Sequence, residues 1–311
     1  MRQTDVTLVG HGRPMAGGAA APAYNRPTAM SSRPVTVFEP PDLRRIRPLA
    51  ALQRLAAARD LFLTLSLHRI SVRYRRSRLG ILWAAIHPVA MMLVFTLMFT
   101  VLRAKPAGDV PFPLFAYSGL IPWTMFSSGL YNASTALTSH AALLTKVSFP
   151  REILPLTYVV AGLVDMSIAS LVLACLMLWF GVPLQLTALW AIVAVVLLTG
   201  LLVGLGLLLS AVQVRFRDVG LAMPVLVQVW LFATPVLYPL SAAKASLPEP
   251  LYWAYRLNPM AGVVDTFRRA IVLHQAPDVG AIAVSAAVVT ILVPVAYVYF
   301  KHVELTMADV V

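Results

Sequence analysis

The residues of this chain that could carry out chemistry do not form a catalytic or nucleotide-binding pattern. A phosphate-binding loop requires a Gly-Lys pair followed by Ser or Thr, and none of the four lysines follows a glycine. The six histidines are scattered, and the sequence contains neither a metal-ligand spacing nor a Ser/His/Asp cluster. The sequence therefore predicts a protein that is not an enzyme, has no catalytic or metal-binding residues, and binds no cofactor of its own.

Two short segments combine an aromatic side chain with charged groups, which is typical of contact sites for another protein. The candidate contact residues in them are Lys146, Phe149, Arg151, Glu152, Arg215, Phe216, Arg217 and Asp218. Positive flanks of membrane spans would account for the arginines but less well for the two phenylalanines. We therefore predict that both segments are exposed and dock onto a partner.

The elements that position these residues must lie in a lipid bilayer. Apolar residues make up 59% of the chain and charged residues 12%, and the mean hydropathy is +0.79, far from the averages of soluble domains. A membrane-spanning helix needs about 20 largely uncharged residues. The predicted transmembrane helices are 79–102, 111–131, 153–180, 186–212, 221–240 and 279–300. The predicted fold is an all-α, polytopic integral membrane protein with six transmembrane helices.

The distribution of Lys and Arg predicts the orientation of these spans. An even number of spans places both termini on one side of the membrane. Nineteen Lys and Arg residues lie in the segments on the amino-terminal side and six on the opposite side, which places both termini in the cytoplasm. Residues 1–49 and 301–311 are then cytoplasmic tails, the first of them disordered. The net charge of +12 is a topology signal and indicates no nucleic-acid partner.

Residues 50–78 are too charged to cross the membrane, yet they show helical periodicity. Leu55, Phe62, Leu65, Arg69 and Val72 follow one side of the predicted helix. This pattern predicts an amphipathic helix that lies in the cytoplasmic interface. The candidate contacts to anionic lipid headgroups are Arg69, Arg73, Arg75, Arg76 and Arg78.

The segment 241–278 is more apolar and aromatic than a free extracellular loop. We predict two short re-entrant helices within 248–273, around 248–256 and 259–273, separated at Asn258-Pro259. Irregular backbone at membrane depth must be surrounded by protein or line a water-filled cavity, and a lid over the exit of a pore meets that condition. The candidate gate residues are Tyr252, Trp253, Tyr255, Arg256, Asn258 and Pro259.

A set of ordered motifs covers most of residues 70–260. The motifs are YRRSRLGILWAAIHP (74–88), FAYSGLIPWTMFSSGL (115–130), LLTKVSFPREILPL (143–156), VRFRDV (214–219), ATPVLYPL (233–240) and NPM (258–260). In order and spacing they resemble the type-2 permeases of ABC transporters that export polysaccharides, including O-antigen, capsule and teichoic acid. The long amino-terminal tail and the region after Arg269 match poorly, so the resemblance implies nothing about them.

The resemblance implies a transport subunit in a bacterial inner membrane that moves a lipid-linked polysaccharide, such as O-antigen, out of the cytoplasm. Two copies of the permease would pair with two copies of an ATP-binding subunit, which would bind ATP and Mg²⁺. The segments 146–152 and 215–218 would contact that subunit, 50–78 would be the interfacial helix, and 248–273 the exit gate. Partners would thus be the ATP-binding subunit, a second copy of the chain, the polysaccharide and membrane lipids.

Aromatic rings are the expected lining of a carbohydrate path, because they present flat apolar surfaces to sugar C–H groups. The candidate path-lining aromatics are Tyr117, Trp123, Phe126, Tyr131, Trp230, Phe232 and Tyr238. Asp165 is the only acidic residue deep within a predicted span, which could indicate an ion route or a hydrogen bond to a neighbouring helix. Because ATP would drive such a transporter, we favour the structural role.

Three alternatives remain open from the sequence. A type-2 permease for a drug or a small lipid would share the same architecture. A membrane-embedded glycosyl- or acyltransferase would need acidic, basic or metal-binding residues clustered near one membrane surface, and no such cluster is present in the sequence. A secondary transporter would rest on Asp165 alone.

Overall fold

The computed structural model describes residues 56–75, 77–101, 110–146 and 149–304. Helices dominate these residues and no strand occurs among them, so the all-α prediction is confirmed for this part of the chain. The predicted tail 1–49, the side chains of Arg76 and Lys146, and most of the carboxy-terminal tail lie outside the described residues.

Eleven α-helices follow one another in the described part of the chain. They are α1 Arg59–Arg75, α2 Trp83–Val101, α3 Phe112–Ser134, α4 Ala141–Lys146, α5 Ile153–Trp179, α6 Trp190–Arg215, α7 Asp218–Phe232, α8 Leu240–Ser246, α9 Glu249–Arg256, α10 Pro259–Arg268 and α11 Val279–Glu304. Short 3-10 turns precede α2, α4 and α6, and a π-helical turn, Arg269–Leu273, follows α10.

Four helical stretches among the described residues are long and apolar enough to cross a bilayer. They are Gly80–Val101, Ile153–Trp179, Leu186–Arg215 and Val279–Glu304, and they match the first, third, fourth and sixth predicted spans. At the second predicted span, α3 has 23 residues, of which 16 are buried in the bundle. The chain is therefore a multi-pass membrane protein with α3 at its centre.

The fifth predicted span, 221–240, differs from the structure at both ends. The helix there, α7, begins earlier, at Asp218, and ends at Phe232 after 15 residues. It covers only about 22 Å at 1.5 Å per residue, which is less than the hydrocarbon core. The helix ends ahead of Pro235, which lacks a backbone N–H and disfavours helical geometry in the residue before it. Residues 233–239 form an irregular segment, of which 234–236 are buried.

Small residues on α6 allow α11 to pack closely against it. A Cβ atom at Gly200 would lie 2.5 Å from Val289, and one at Gly204 would lie 2.8 Å from Leu292. Only glycine permits this approach, which is typical of interfaces between membrane helices. This contact places the end of α11 beside the end of α6 at one end of the bundle.

Candidate functional site

The first predicted contact segment, 149–152, is packed into one end of the bundle. The buried carboxylate of Glu152, just before α5, accepts a hydrogen bond from Lys301 Nζ at 2.7 Å. Lys301 Nζ also donates to Glu304 Oε2 at 2.8 Å, so two carboxylates share one ammonium group. The Arg151 guanidinium donates to the backbone carbonyl of Glu304 at 3.1 Å. These bonds fasten the beginning of α5 to the last turn of α11.

The expectation that this segment presents an exposed ring and free charges is wrong. Both Arg151 and Glu152 are bonded within the protein, and Phe149 is half-buried against the apolar cluster that includes Leu137 and Phe300. No local pattern predicts this arrangement, because the partners Lys301 and Glu304 follow about 150 residues later. Whether residues 149–152 also touch another subunit stays a prediction.

The second predicted contact segment, 215–218, is exposed at the same end of the bundle. Phe216, between α6 and α7, is 57% exposed, and Arg215, Arg217 and Asp218 are exposed around it. The Arg215 guanidinium carbon lies 6.0 Å from the centroid of the Phe216 ring. An exposed aromatic side chain surrounded by charged groups fits a contact site for a second protein. The structure therefore concentrates the exposed part of the candidate surface on residues 215–218.

Helix α1 is anchored to α5 by its arginines. The Arg69 side chain donates to Thr157 Oγ1 at 2.6 Å and lies 3.7 Å from the centroid of the Tyr158 ring. Four residues later, Arg73 forms a 2.5 Å ion pair with Asp165, whose other carboxylate oxygen accepts a hydrogen bond from the Tyr74 hydroxyl. Asp165 thus has partners on a neighbouring helix, as the structural role requires. Among the described residues, the hydrogen-bond partners of the Asp165 carboxylate are Arg73 and Tyr74, and no second acidic side chain bonds to it.

A cavity of about 580 Å³ lies between α1, the α3–α4 region and α5. Its lining residues are Leu65, His68, Arg69, Val72, Arg73, Asn132, His140, Leu143, Leu154, Tyr158 and Ala161. Burial lowers the pKa of His140, and the charge of Arg69 lowers it further, so the neutral imidazole is favoured at pH 7. The lining also holds Arg69 and Arg73, of which Arg73 is paired with Asp165, next to aliphatic side chains. Such a lining suits an amphiphilic anion.

Of the remaining predicted headgroup contacts, Arg75 and Arg78 lie on the surface, and Arg76 lies outside the described residues. Arg75 and Arg78 are exposed near the end of α1, where they are accessible to phosphate groups. Burial lowers the pKa of Arg69, but an arginine stays protonated in proteins. The four described arginines thus serve two purposes: Arg69 and Arg73 hold α1 in place, and Arg75 and Arg78 are accessible to a headgroup.

The structure separates the predicted path-lining aromatics into buried and exposed sets. Tyr117, Trp123 and Phe126 are buried in the core of this chain, and Phe126 packs edge-on against Trp230 at 5.0 Å. Exposed rings are found at Tyr131 and Phe232. The three buried rings of α3 are therefore packing residues in this structure, because neighbouring helices cover them.

The predicted exit-gate helices are present as α9 and α10, with the break at Leu257-Asn258. Asn258 caps α10 by accepting a hydrogen bond from the Met260 amide at 3.1 Å. The same side-chain oxygen accepts from Trp230 Nε1 at 3.0 Å, and the side-chain nitrogen donates to the Ala233 carbonyl at 2.8 Å. Tyr255 of α9 donates to the Tyr238 hydroxyl at 3.2 Å. These bonds connect the gate helices to the end of α7 and to the irregular segment 233–239.

The other gate residues differ in exposure. Trp253 is exposed, while Tyr252, Arg256 and Pro259 are partly covered. Arg256 forms a 3.5 Å ion pair with Asp278, which also accepts hydrogen bonds from two amides at the start of α11. Helix α10, in contrast, is almost completely buried in the bundle. The gate region therefore consists of one largely exposed helix, α9, and one buried helix, α10.

Sequence reasoning missed Arg268, which is fully buried in α10. Its guanidinium donates to the backbone carbonyls of Phe115 at 3.3 Å, Pro235 at 2.9 Å and Val236. The guanidinium carbon also lies 3.9 Å from the centroid of the Phe115 ring. Burial lowers its pKa to about 10, which still leaves it charged at pH 7. The sequence shows two adjacent arginines, Arg268 and Arg269, in an apolar segment, but it does not indicate which of them is buried.

Comparisons with known proteins match most of the described chain. The family model described as ABC-2 type transporter matches residues 60–272. An O-antigen export system permease protein, RfbA, of Myxococcus xanthus is 35% identical over 236 residues, which cover 75% of this chain and 88% of that protein. The polysialic acid transport protein KpsM of Escherichia coli is 28% identical over 218 residues, or 67% of this chain and 79% of that protein. A capsule polysaccharide export inner-membrane protein, CtrC, of Neisseria meningitidis is 25% identical over 226 residues, which cover 70% of this chain and 80% of that protein.

Proposed function

This chain belongs to the ABC-2 type transporter family, and on that premise we propose that it is the membrane-spanning permease subunit of an ATP-driven polysaccharide exporter. The observation that carries the proposal is its 35% identity to an O-antigen export permease over three-quarters of the chain. The cargo is a lipid-linked polysaccharide that moves outward across the inner membrane of a bacterium. Both termini lie in the cytoplasm, as the excess of Lys and Arg on that side indicates.

ATP and Mg²⁺ are bound by a separate ATP-binding subunit, since the sequence contains no phosphate-binding loop. The exposed segment 215–218 is the main contact with that subunit. Residues 149–152 lie at the same end and are fastened to α11 through Lys301 and Glu304. A displacement of this end by the ATP-binding subunit is therefore transmitted to the start of α5 and the end of α11 together.

Two copies of the chain assemble around the path. The apolar side chains of α7 support this arrangement, because most of them, including Leu221, Val225 and Phe232, are exposed in a single copy. A second copy or lipid must cover them, and a path between two copies would use the exposed rings of Tyr131 and Phe232. The cavity beside α1, with Arg69 and Arg73 next to aliphatic side chains, suits the phosphate group and lipid of the cargo.

Deletion of the gene is the direct test of the cargo. We expect the deletion strain to lose its surface polysaccharide and to accumulate lipid-linked polysaccharide on the cytoplasmic side, as measured by surface labelling and by extraction of spheroplasts. The wild-type gene supplied on a plasmid should restore the surface polymer. Unchanged surface polysaccharide, together with a changed tolerance to drugs or a changed lipid composition, would assign a different cargo.

Phe216→Ala should weaken association with the ATP-binding subunit by about tenfold or more, because truncating an aromatic side chain at the centre of a contact costs about 2 kcal/mol. The measurement is co-purification of the two subunits at falling concentration, followed by ATPase activity in the presence of the permease. Trp179→Ala is the control, since it removes an exposed aromatic side chain from the opposite end of the bundle. If both variants associate equally well with the ATP-binding subunit, residues 215–218 are not part of the contact surface.

A further inference from the structure

A second cavity, of about 740 Å³, lies at the end of the bundle opposite to residues 215–218. It is bounded by the start of α3, the connection between α5 and α6, the start of α8, and the π-helical turn after α10. Its polar lining residues are Ser241, Asp265, Arg269, His274 and Gln275, and the aromatic ones are Phe115 and Phe180. None of the contacts described so far for docking, cargo entry or gating uses these polar groups.

Asp265 and Arg269 form the polar centre of this exit-side cavity. Arg269 Nε donates to Asp265 Oδ2 at 2.7 Å, and their side chains are 28% and 5% exposed. Within the described residues, the two terminal guanidinium nitrogens of Arg269 and Asp265 Oδ1 have no hydrogen-bond partner. Free donors and a free acceptor therefore lie side by side on a preformed ion pair.

This combination matches the chemistry of neighbouring hydroxyl groups on a sugar. Each hydroxyl both donates and accepts a hydrogen bond, so one can donate to the carboxylate while the next accepts from the guanidinium. The Phe180 ring is 40% exposed beside the cavity and offers a flat apolar surface to the C–H groups of a sugar ring. The exposed Gln275 adds a further donor and acceptor.

The charges of the lining disfavour an anion. Asp265 neutralises Arg269, and the neighbouring Arg268 has its guanidinium occupied by backbone carbonyls on the other side of Phe115. His274 is engaged as well, because its Nε2 lies 2.7 Å from the Pro183 carbonyl. The lining offers a phosphate group only the guanidinium of Arg269, which the Asp265 carboxylate already neutralises, while the charged Arg268 lies outside the lining.

We propose that the Asp265–Arg269 cavity binds a sugar unit of the polymer after it has left the translocation path. The inference rests on the proposed function, which places this end of the bundle outside the cytoplasm. A binding site at the exit holds the emerging polymer between transport steps and so opposes its return. The site belongs to one copy of the chain, so a dimer would hold two such sites.

Binding of neutral oligosaccharides to the purified full-length chain tests this proposal. The probes are fragments of six to ten sugars, made by mild acid hydrolysis of the surface polysaccharide of the same strain, and maltohexaose. Saturation-transfer NMR measures the affinity of each. Arg269→Met and Phe180→Ala should each weaken binding of at least one probe by about fivefold to tenfold, because each removes hydrogen bonds or ring contact worth about 1 kcal/mol.

Trp179→Ala is the matched control, because Trp179 precedes Phe180, is 85% exposed and lies outside the cavity lining. Absence of binding to the wild-type chain, or equal binding by all three variants, would overturn the proposal. Displacement of the probe by inorganic phosphate or glycerol 1-phosphate would overturn it too, since that result identifies an anion or headgroup site. Binding is measured without transport. An error in the proposed cargo would therefore appear in the deletion strain, whereas an error in the proposed sugar site would appear in the binding assay.

Discussion

Replacing Arg268 by methionine is expected to destabilise the folded protein by about 3 kcal/mol or more. The substitution keeps an apolar stem of similar length but removes the guanidinium that donates to the carbonyls of Pro235, Val236 and Phe115. Each buried carbonyl left without a donor costs about 1–3 kcal/mol. Arg268→Lys should not restore stability, because one ammonium group cannot replace a planar fork of donors. Thermal unfolding in detergent, followed by fluorescence-detected size exclusion, measures the loss.

Arg256→Met is the control for a general effect of removing an arginine from the gate helices. Its ion pair with Asp278 is 3.5 Å long and partly exposed, so its loss should cost less than about 1 kcal/mol. Gly119→Ala tests the same site from α3, because a Cβ atom there would clash with the Val236 carbonyl oxygen and with the Arg268 guanidinium. Equal melting of Arg268→Met and Arg256→Met would contradict the assigned role of Arg268.

Replacing Lys301 by methionine should destabilise the protein by about 3 kcal/mol, because it leaves Glu152 and Glu304 without their shared cation in a buried setting. The two carboxylates would also repel one another. The expected structural result is separation of the end of α11 from the beginning of α5. Thermal unfolding measures the stability, and protease sensitivity near residue 304 reports the separation.

The triple variant Lys301→Met, Glu152→Gln, Glu304→Gln removes all three charges and should recover most of the lost stability. Replacing a complete buried ion cluster by neutral groups is often nearly neutral, whereas breaking it is costly. If the triple variant transports less polysaccharide than its stability predicts, the cluster also serves to couple α5 and α11. Equal melting of Lys301→Met and the wild-type protein would show that the cluster contributes nothing to stability.

The arginines of α1 illustrate which parts of the site the sequence predicted. Helical periodicity identified α1, and Phe62, Leu65 and Arg69 do lie on its covered side. The periodicity also placed Val72 on that side, and Val72 does line the cavity between α1 and α5, although its side chain is exposed there. Which arginines of α1 serve as anchors depended on Thr157, Tyr158 and Asp165 of α5, about 90 residues later. One sequence offers no means to pair such distant residues.

By itself, the sequence determined the membrane setting, the helical fold, most of the span positions and the family, because hydropathy and local motifs depend only on neighbouring residues. It also predicted the break at Asn258-Pro259, where local backbone chemistry decides the result. Tertiary structure alone decided that Glu152 is paired and buried while Phe216 is exposed, and that Arg268 points inward while Arg269 lines a cavity. The physical reason is that burial and charge pairing depend on residues far apart in sequence, and those distances are set only when the helices pack.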